Sequence, residues 1–215
     1  MRVLFLLTTL LIGIQSISQE IITKEDVKFL KNELPRNLII KPDYIEKVIW
    51  IKTPKIYVTG IVKPFSLSTY SPDLTHVFYF RVTKNENGEF VRNGLRYAIN
   101  YSSSNWLFVE KMMIRTASTN KETRQGLGTE YNVIFNEDKA DRDVRMGGIN
   151  EKFDIYNNQQ ILAWLKDIKD THNFTRLRIY GDKGYKDSAI KQKHFRPLAW
   201  AILDAMSNEL FIVNE

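Results

Sequence analysis

Apolar positions recur every three or four residues in three segments of the chain, which predicts three amphipathic helices. The first follows Thr23, whose side chain can cap a helix, and Pro35 ends it. The second follows the possible caps Asn157 and Asn158. The third has Pro197 close to its start, where a missing amide hydrogen costs little. The predicted buried stripes are Val27, Leu30 and Leu34; Ile161, Leu162, Leu165 and Ile168; and Phe195, Leu198, Ile202 and Met206.

Between these helices, apolar and polar residues alternate over short runs, which is typical of half-buried β-strands. We predict strands at KVIWI, KIYVTGIV, VFYFRV, EFVR, LRYAINY, NWLFVEKMMIR, EYNVIF and KFDIY. Asn87-Gly88 and Asn93-Gly94 predict tight hairpin turns, because both central residues of a type I′ turn need positive φ. Polar segments at 63–75, 116–129 and 136–148 predict loops.

This order of elements predicts an α+β fold: an antiparallel β-sheet meander with helices packed on one face, plus an N-terminal helix. We divide the chain into a leader at 1–18, a helix with β-strands at 19–99, and an α+β module at 100–215. The last two parts could also form one continuous domain.

The residues at 1–18 have the three parts of a secretory signal peptide. Arg2 supplies a positive charge, an apolar run extends from Val3 to Ile14, and the segment then ends in small and polar residues, so we predict cleavage after Ser18. A membrane span would need about 20 apolar residues, more than this run provides. We therefore expect a secreted or periplasmic protein without a transmembrane segment after leader removal.

Composition changes this picture in two ways. The chain has no cysteine, so it must fold without disulfides, and thiol nucleophiles and the common cysteine zinc sites are excluded. Lys and Arg number 31 against 25 Asp and Glu, a net charge of +6. Between His172 and Arg196, seven basic residues stand against two acidic ones, which concentrates the positive charge there. A small exported chain without cysteine fits a bacterial envelope or secreted protein.

The segment TRLRIYGDKGYKD, residues 175–187, predicts a β-hairpin with a Gly-x-x-Gly turn. Leu177 and Ile179 alternate with basic residues, so the aliphatic side chains are expected in the core and the charged ones in water. The anion-binding candidates, expected on one exposed face, are Arg176, Arg178, Lys183 and Lys186. The alternative is a solvated face whose charges prevent edge pairing. KH domains bind nucleic acid with a Gly-x-x-Gly loop, but that loop joins helices, and export argues against this partner.

Glu110 is the weak candidate for a catalytic residue. Alternation along NWLFVEKMMIR places it on the apolar face of a strand, where burial would raise the pKa of its carboxyl. A bulge near Val109 would instead reverse the phase, or Arg96 or Arg115 could neutralise the charge. The possible second carboxylates of a hydrolase are Asp138, Asp141 and Asp143.

No motif predicts a cofactor or a metal site. The chain lacks Gly-x-Ser-x-Gly, His-Glu-x-x-His and P-loop motifs, and GLGTEY lacks the third glycine of a dinucleotide fingerprint. His76, His172 and His194 are far apart in sequence. The acidic segment NEDKADRD lacks the spacing of a calcium-binding loop, so we predict internal salt bridges there. We expect no cofactor and no nucleotide.

The segments SSNWLFVEKMMIRT, EKFDIYNNQQILAWLKDI and LRIYGDKGYKDSAI, followed by a closing helix, are similar to a module of uncharacterised bacterial secreted and surface proteins. The resemblance covers about residues 100–210 and implies an exported α+β protein without implying catalytic residues. We expect a non-enzymatic envelope accessory factor or binding module, whose basic hairpin contacts an anionic envelope polymer or a protein partner. The alternative is a hydrolase that cleaves envelope polymer with paired carboxylates.

Overall fold

The computed structural model describes residues 21–58, 73–103, 106–119, 126–135, 140–145, 148–170, 175–190 and 192–213. The predicted leader at 1–18 and most of the predicted loop at 63–75 lie outside these residues. The helices are α1 Lys24–Glu33, α2 Gln159–Asp170 and α3 Gln192–Met206. The strands are β1 Ile39–Asp43, β2 Val48–Lys52, β3 Ile56–Val58, β4 Asp73–Lys84, β5 Phe90–Arg92, β6 Arg96–Ser103, β7 Val109–Thr119, β8 Gly126–Ile134, β9 Asp141–Arg145, β10 Gly148–Tyr156, β11 Thr175–Gly181, β12 Gly184–Ile190 and β13 Phe211–Val213.

The strands form two sheets, and together with the helices they make the predicted α+β fold. The larger sheet has nine strands with the main order β1-β2-β4-β6-β10-β9. The smaller sheet has the order β12-β11-β7-β8. All pairs are antiparallel except β13 with β5, which run parallel. The division of the chain near residue 99 stays a prediction.

Strand β4 is the centre of the larger sheet because each of its edges carries two strands placed end to end. β2 and β3 share one edge, while β5 and β6 share the other. A turn at Asn87-Gly88 joins β4 to β5, as predicted, but it is not of type I′: Gly88 has a φ of 79°, whereas the φ of Asn87 is not positive. The predicted hairpin at Asn93-Gly94 is wrong, because β6 continues in the direction of β5 along the same edge instead of pairing with it.

All three segments predicted as loops contain strand. β4 begins at Asp73, within the predicted loop 63–75. β7 extends to Thr119 and β8 begins at Gly126, so the polar segment 116–129 is partly an antiparallel pair. β9 lies within the predicted loop 136–148 and pairs with β10. β8 and β9 are edge strands of their sheets, and the residue preferences of an edge strand differ from those of a central strand. Hydrophobic alternation therefore underestimates their strand content.

The core lies on one face of the larger sheet, where all three helices pack. Trp164 of α2 and Phe195 of α3 contact Phe78 of β4, with ring centroids 5.7 and 5.5 Å away. Phe29 of α1 stacks on Phe90 of β5 at 6.1 Å. The inner face of the smaller sheet joins the same cluster of buried residues through side chains such as Met112 and Ile114. These contacts confirm the prediction that the helices cover one face.

The predicted helix caps are formed by local hydrogen bonds. The Thr23 side chain accepts from the Asp26 backbone N–H, and the Asp26 carboxylate accepts from the Thr23 N–H, a reciprocal capping box. The Asn158 side-chain oxygen accepts from the backbone N–H groups of Gln160 and Ile161 at 2.9 and 3.2 Å. These interactions satisfy amides that have no partner inside the helix.

A polar pair lies inside this apolar core. The His76 Nδ1 is 2.5 Å from the Tyr97 hydroxyl oxygen, and both side chains are buried. Burial lowers the pKa of His76 to about 3, so the ring is neutral in the folded protein at ordinary pH. Among the residues described, no helix is long and apolar enough to span a bilayer.

Candidate functional site

The basic hairpin is formed by β11, β12 and the turn between them, as predicted. Leu177 and Ile179 are buried, with 1% and 0% of their surface exposed. Arg176 and Arg178 alternate with them and project from the opposite, outer face of the smaller sheet. The alternation of apolar and basic residues therefore indicated correctly which side chains enter the core.

The structure adds Arg115 to these two arginines. Arg115 of β7 lies directly opposite Arg176 of β11, so the two side chains share the outer face. With Arg178 they line a groove of about 180 Å³, and Met113 forms part of its apolar surface. We call Arg115, Arg176 and Arg178 the arginine face. Sequence reasoning missed Arg115 as an anion-binding candidate because only the pairing of β7 with β11 brings it there.

Two carboxylates orient the arginine face. Arg178 forms a bidentate ion pair with Asp187 on β12, with N to O distances of 2.5 and 2.8 Å. Hydrogen bonding to this carboxylate raises the pKa of Arg178. The Arg115 Nε donates to the Glu130 carboxylate at 2.7 Å. Three positive and two negative charges thus leave this surface with a net positive charge and guanidinium groups held in defined positions.

The two lysine candidates do not both belong to the arginine face. Lys183 lies exposed in the turn between the strands. Lys186 lies directly opposite Ile179, whose side chain is buried, so its Cβ is on the inner side of the sheet although the residue is exposed. The prediction that all four candidates share one face is therefore wrong for Lys186, because opposite residues of an antiparallel pair project to the same side.

Aromatic residues border the arginine face near the hairpin turn. Tyr180 and Tyr185 lie opposite each other, with ring centroids 6.2 Å apart. The Arg178 guanidinium lies 4.2 Å from the Tyr185 centroid, and the Lys111 ammonium lies 4.9 Å from that of Tyr180. These cation–π contacts support the cationic groups on an exposed surface.

A buried carboxylate holds the backbone segment 107–109, against which the turn of this hairpin packs. Glu151 of β10 has none of its surface exposed, and its oxygens accept from the backbone N–H groups of Leu107, Phe108 and Val109 at 2.7, 2.9 and 2.8 Å. The Arg142 Nε lies 3.6 Å from the same carboxylate. Because three amides donate to it, this carboxylate fixes a segment of backbone that has Phe108 at a φ of 53°.

The hairpin packs tightly against that segment. A Cβ atom on Gly181 would lie only 2.1 Å from the carbonyl oxygen of Leu107 and 2.3 Å from that of Phe108. The Lys183 N–H donates to the same Leu107 oxygen at 3.4 Å. Glu151 therefore connects the larger sheet to the hairpin turn through one short segment. The predicted strand KFDIY begins at Lys152. Extending it by one residue would have placed Glu151 on the same face as Phe153, so the sequence does contain a signal for its burial.

Glu110, the weak catalytic candidate, is exposed rather than buried. On β11, Tyr180 pairs with Lys111 and Gly181 pairs with Val109, so the register skips Glu110. This irregularity reverses the side-chain phase, which is the bulge that the sequence left open as an alternative. The burial that made Glu110 a candidate catalytic residue is therefore absent.

The structure gives the paired-carboxylate hypothesis no support. Asp141 is exposed and forms a 3.0 Å ion pair with Lys152 on β10, outside the acidic segment, rather than with the neighbouring Arg142 or Arg145 suggested by the sequence. Asp138 and the side chain of Asp143 lie outside the described residues. Within the described part of the chain, no group of three or more His, Cys, Asp or Glu residues is arranged to hold a metal ion.

No family model, curated protein or solved structure matches this chain.

Proposed function

We propose that this protein is an exported, non-enzymatic binding module whose arginine face binds an anionic polymer of the bacterial envelope. The supporting observation is the direct cross-strand pair of Arg115 and Arg176 on an exposed surface. Like charges at opposite positions of an antiparallel pair destabilise a sheet. Glu130 offsets part of this repulsion at Arg115, and an anionic ligand that bridges the two guanidinium groups would offset more of it.

The chemistry of arginine favours such a ligand. The planar guanidinium presents a fork of N–H donors that matches a carboxylate or a phosphate. Arg176 and Arg178 are two residues apart on β11, a separation of roughly 7 Å along a strand. Arg115 extends the charge sideways to the next strand, which is roughly 5 Å away. A chain with repeated negative charges can therefore contact more than one arginine.

The predicted leader supports an envelope ligand. A leader that directs export would bring this surface into contact with extracellular and envelope polymers rather than with cytosolic nucleic acid. Tyr180 and Tyr185 could contact the apolar parts of such a polymer beside the charged groups. The buried Glu151 and the close contact of Gly181 give the hairpin a rigid support, which reduces the ordering cost of binding.

The experiment measures retention on immobilised polyglutamate and immobilised polyphosphate, eluted with a salt gradient. The double variant Arg115→Gln/Arg176→Gln removes the opposed charges and leaves the Arg178–Asp187 ion pair in place. We expect it to elute at clearly lower salt than the wild-type protein, because binding by charge weakens steeply with ionic strength.

A matched control has the same change in net charge at another place. Lys24→Gln/Lys28→Gln alters two exposed lysines of α1. If net charge alone governed retention, both double variants would elute equally early, and the proposal would be wrong. Equal retention of the arginine variant and the wild-type protein would also refute it. Earlier elution from only one of the two columns would tell whether the polymer bears carboxylates or phosphates.

A further inference from the structure

A second groove, separate from the arginine face, lies between α2, α3 and β5. Its volume is about 390 Å³, which is within the usual range for small-molecule sites. The residues that form most of it are Arg92, Leu162, Lys166, Lys169, Leu203 and Met206. Apolar side chains alternate here with positively charged ones, so the groove is amphipathic.

The two helices give the groove an elongated shape. The Arg196 guanidinium, early in α3, donates to the Lys169 carbonyl oxygen near the end of α2 at 3.0 Å. Leu162 near the start of α2 and Met206 at the end of α3 line the same groove, so the helices run antiparallel along it. From Leu162 to Lys169 the groove follows α2 for roughly 10 Å, at 1.5 Å of rise per residue.

Arg92 is the unusual residue of this groove. It lies opposite Val82, which has no exposed surface, so its side chain leaves β5 on the core-facing side of the sheet. Partial burial lowers the pKa of Arg92. Among the described residues no carboxylate lies within 4.0 Å of its guanidinium, and its buried Nε has no hydrogen-bond partner. One Nη donates to the Asn93 carbonyl oxygen at 3.4 Å.

A partly desolvated cation without a neighbouring anion costs free energy. The C-terminal end of α3 offsets some of that cost, because Met206 and Ser207 line the groove and a helix C-terminus carries a partial negative charge. The lining side chains still have three positive charges, at Arg92, Lys166 and Lys169, against one negative charge at Asp204. The groove thus has a net positive charge next to an apolar surface.

At the far end of the groove, Lys169 lies 4.5 Å from the ring centroid of Trp200. Trp200 has 46% of its surface exposed, three residues before Leu203 on the same helix. Apolar surface therefore continues beyond Leu203 on α3. The combination suits a ligand with a negative head group and an extended apolar body.

We propose that the α2–α3 groove binds a single-chain anionic amphiphile, with its carboxylate or phosphate head group at Arg92 and its acyl chain along Leu162, Leu203 and Met206. The head group supplies the anion that Arg92 lacks among the described residues. The acyl chain covers the partly exposed apolar side chains between the helices. Lys166 adds a second cation beside the chain.

The experiment is calorimetric titration of the full-length protein with laurate and with dodecyl phosphate, each below its micellar concentration. Dodecanol, which has the same chain without the charge, is the ligand control. We expect Arg92→Gln to weaken binding of the anionic amphiphiles about tenfold or more, as loss of a hydrogen bond to a charged group does. Urea unfolding of the variant shows whether it remains folded.

If the Arg92 variant does not fold, Lys166→Gln still tests the proposal. Lys166 lines the groove but is exposed, so its replacement should not prevent folding. We expect a smaller loss, about threefold. The charge-matched control Lys28→Gln should bind as the wild type does. Tighter binding of laurate or of dodecyl phosphate would identify the head group, and either result supports the site.

Four results would overturn the proposal. The first is that neither amphiphile binds, and the second is that dodecanol binds as tightly as laurate. The third is that Arg92→Gln and Lys166→Gln both leave the affinity for the amphiphiles unchanged. The fourth is that a hexaglutamate peptide binds in an Arg92-dependent way while the amphiphiles do not.

Discussion

Replacing Glu151 by glutamine tests how the two sheets are connected. Its carboxylate accepts three backbone N–H groups and lies 3.6 Å from the Arg142 guanidinium, entirely shielded from solvent. Glutamine has the same shape but only one acceptor oxygen, so its amide group must face at least one of the three backbone donors. The negative charge opposite Arg142 is lost as well.

The expected cost follows from these contacts. A hydrogen bond to a charged group contributes about 1.5–3 kcal/mol, and leaving a buried donor unsatisfied costs about 1–3 kcal/mol. Removing one partner of a buried ion pair typically costs about 3–5 kcal/mol. We therefore expect Glu151→Gln to lower the free energy of unfolding by about 3–5 kcal/mol, a large part of the roughly 5–15 kcal/mol of a typical domain.

Urea unfolding followed by circular dichroism measures this difference. The matched control is Asp141→Asn on the neighbouring strand β9, where an exposed carboxylate pairs with Lys152 at 3.0 Å. It should cost less than about 1 kcal/mol, as exposed pairs do. Amide hydrogen exchange should accelerate at Leu107, Phe108 and Val109 in the Glu151 variant. If the Glu151 variant unfolds within about 0.5 kcal/mol of the wild type, our interpretation of these hydrogen bonds is wrong.

Three further predictions concern other parts of the fold. Because the pKa of His76 is lowered to about 3 in the folded state, its contribution to stability is complete above the unfolded pKa of about 6.5 and is lost as pH falls toward 3. Urea unfolding should therefore show a loss of about 2 kcal/mol between pH 7 and pH 5, and His76→Gln should remove this part of the slope. Gly181→Ala places a Cβ atom 2.1 Å from the Leu107 oxygen, so unfolding experiments should show a cost of about 1–3 kcal/mol; an unchanged midpoint would contradict the close contact. Thr23→Ala removes the α1 cap and should lower the melting temperature by about 3 °C, while the neighbouring exposed Lys24→Ala should have little effect.

Much of the secondary structure could be predicted from local patterns. The cap at Thr23, the turn at Asn87-Gly88 and the buried positions of Leu177 and Ile179 all depend on residues close together in the chain. The prediction at Asn93-Gly94 was wrong because the same dipeptide also fits a position where a strand continues along the edge of a longer partner. Neither Asn93 nor Gly94 has the positive φ of a type I′ turn, so the dipeptide predicted neither the backbone angles nor the pairing of the next strand at this position.

The candidate site could be predicted only in part. A two-residue turn at Asp182-Lys183 fixes the register of β11 with β12. The position of Lys186 opposite Ile179 could therefore have been predicted from the sequence. Arg115 was not, because it is distant from Arg176 in the chain and nothing local specifies that β7 and β11 are neighbours. The prediction that Glu110 is buried was wrong for another reason. One residue without a partner on the neighbouring strand reverses the side of the sheet to which every preceding side chain projects.

The sequence by itself determined the class of the fold, the faces of the helices and the hairpin with two inward aliphatic residues, because periods of two and of three to four residues are local properties of the backbone. Tertiary structure alone decided that Arg115 and Arg176 lie opposite each other and that the Arg92 side chain projects from β5 toward the groove between α2 and α3. These facts depend on strand register and on which elements are neighbours, and both are set by burial of the shared core rather than by any short segment.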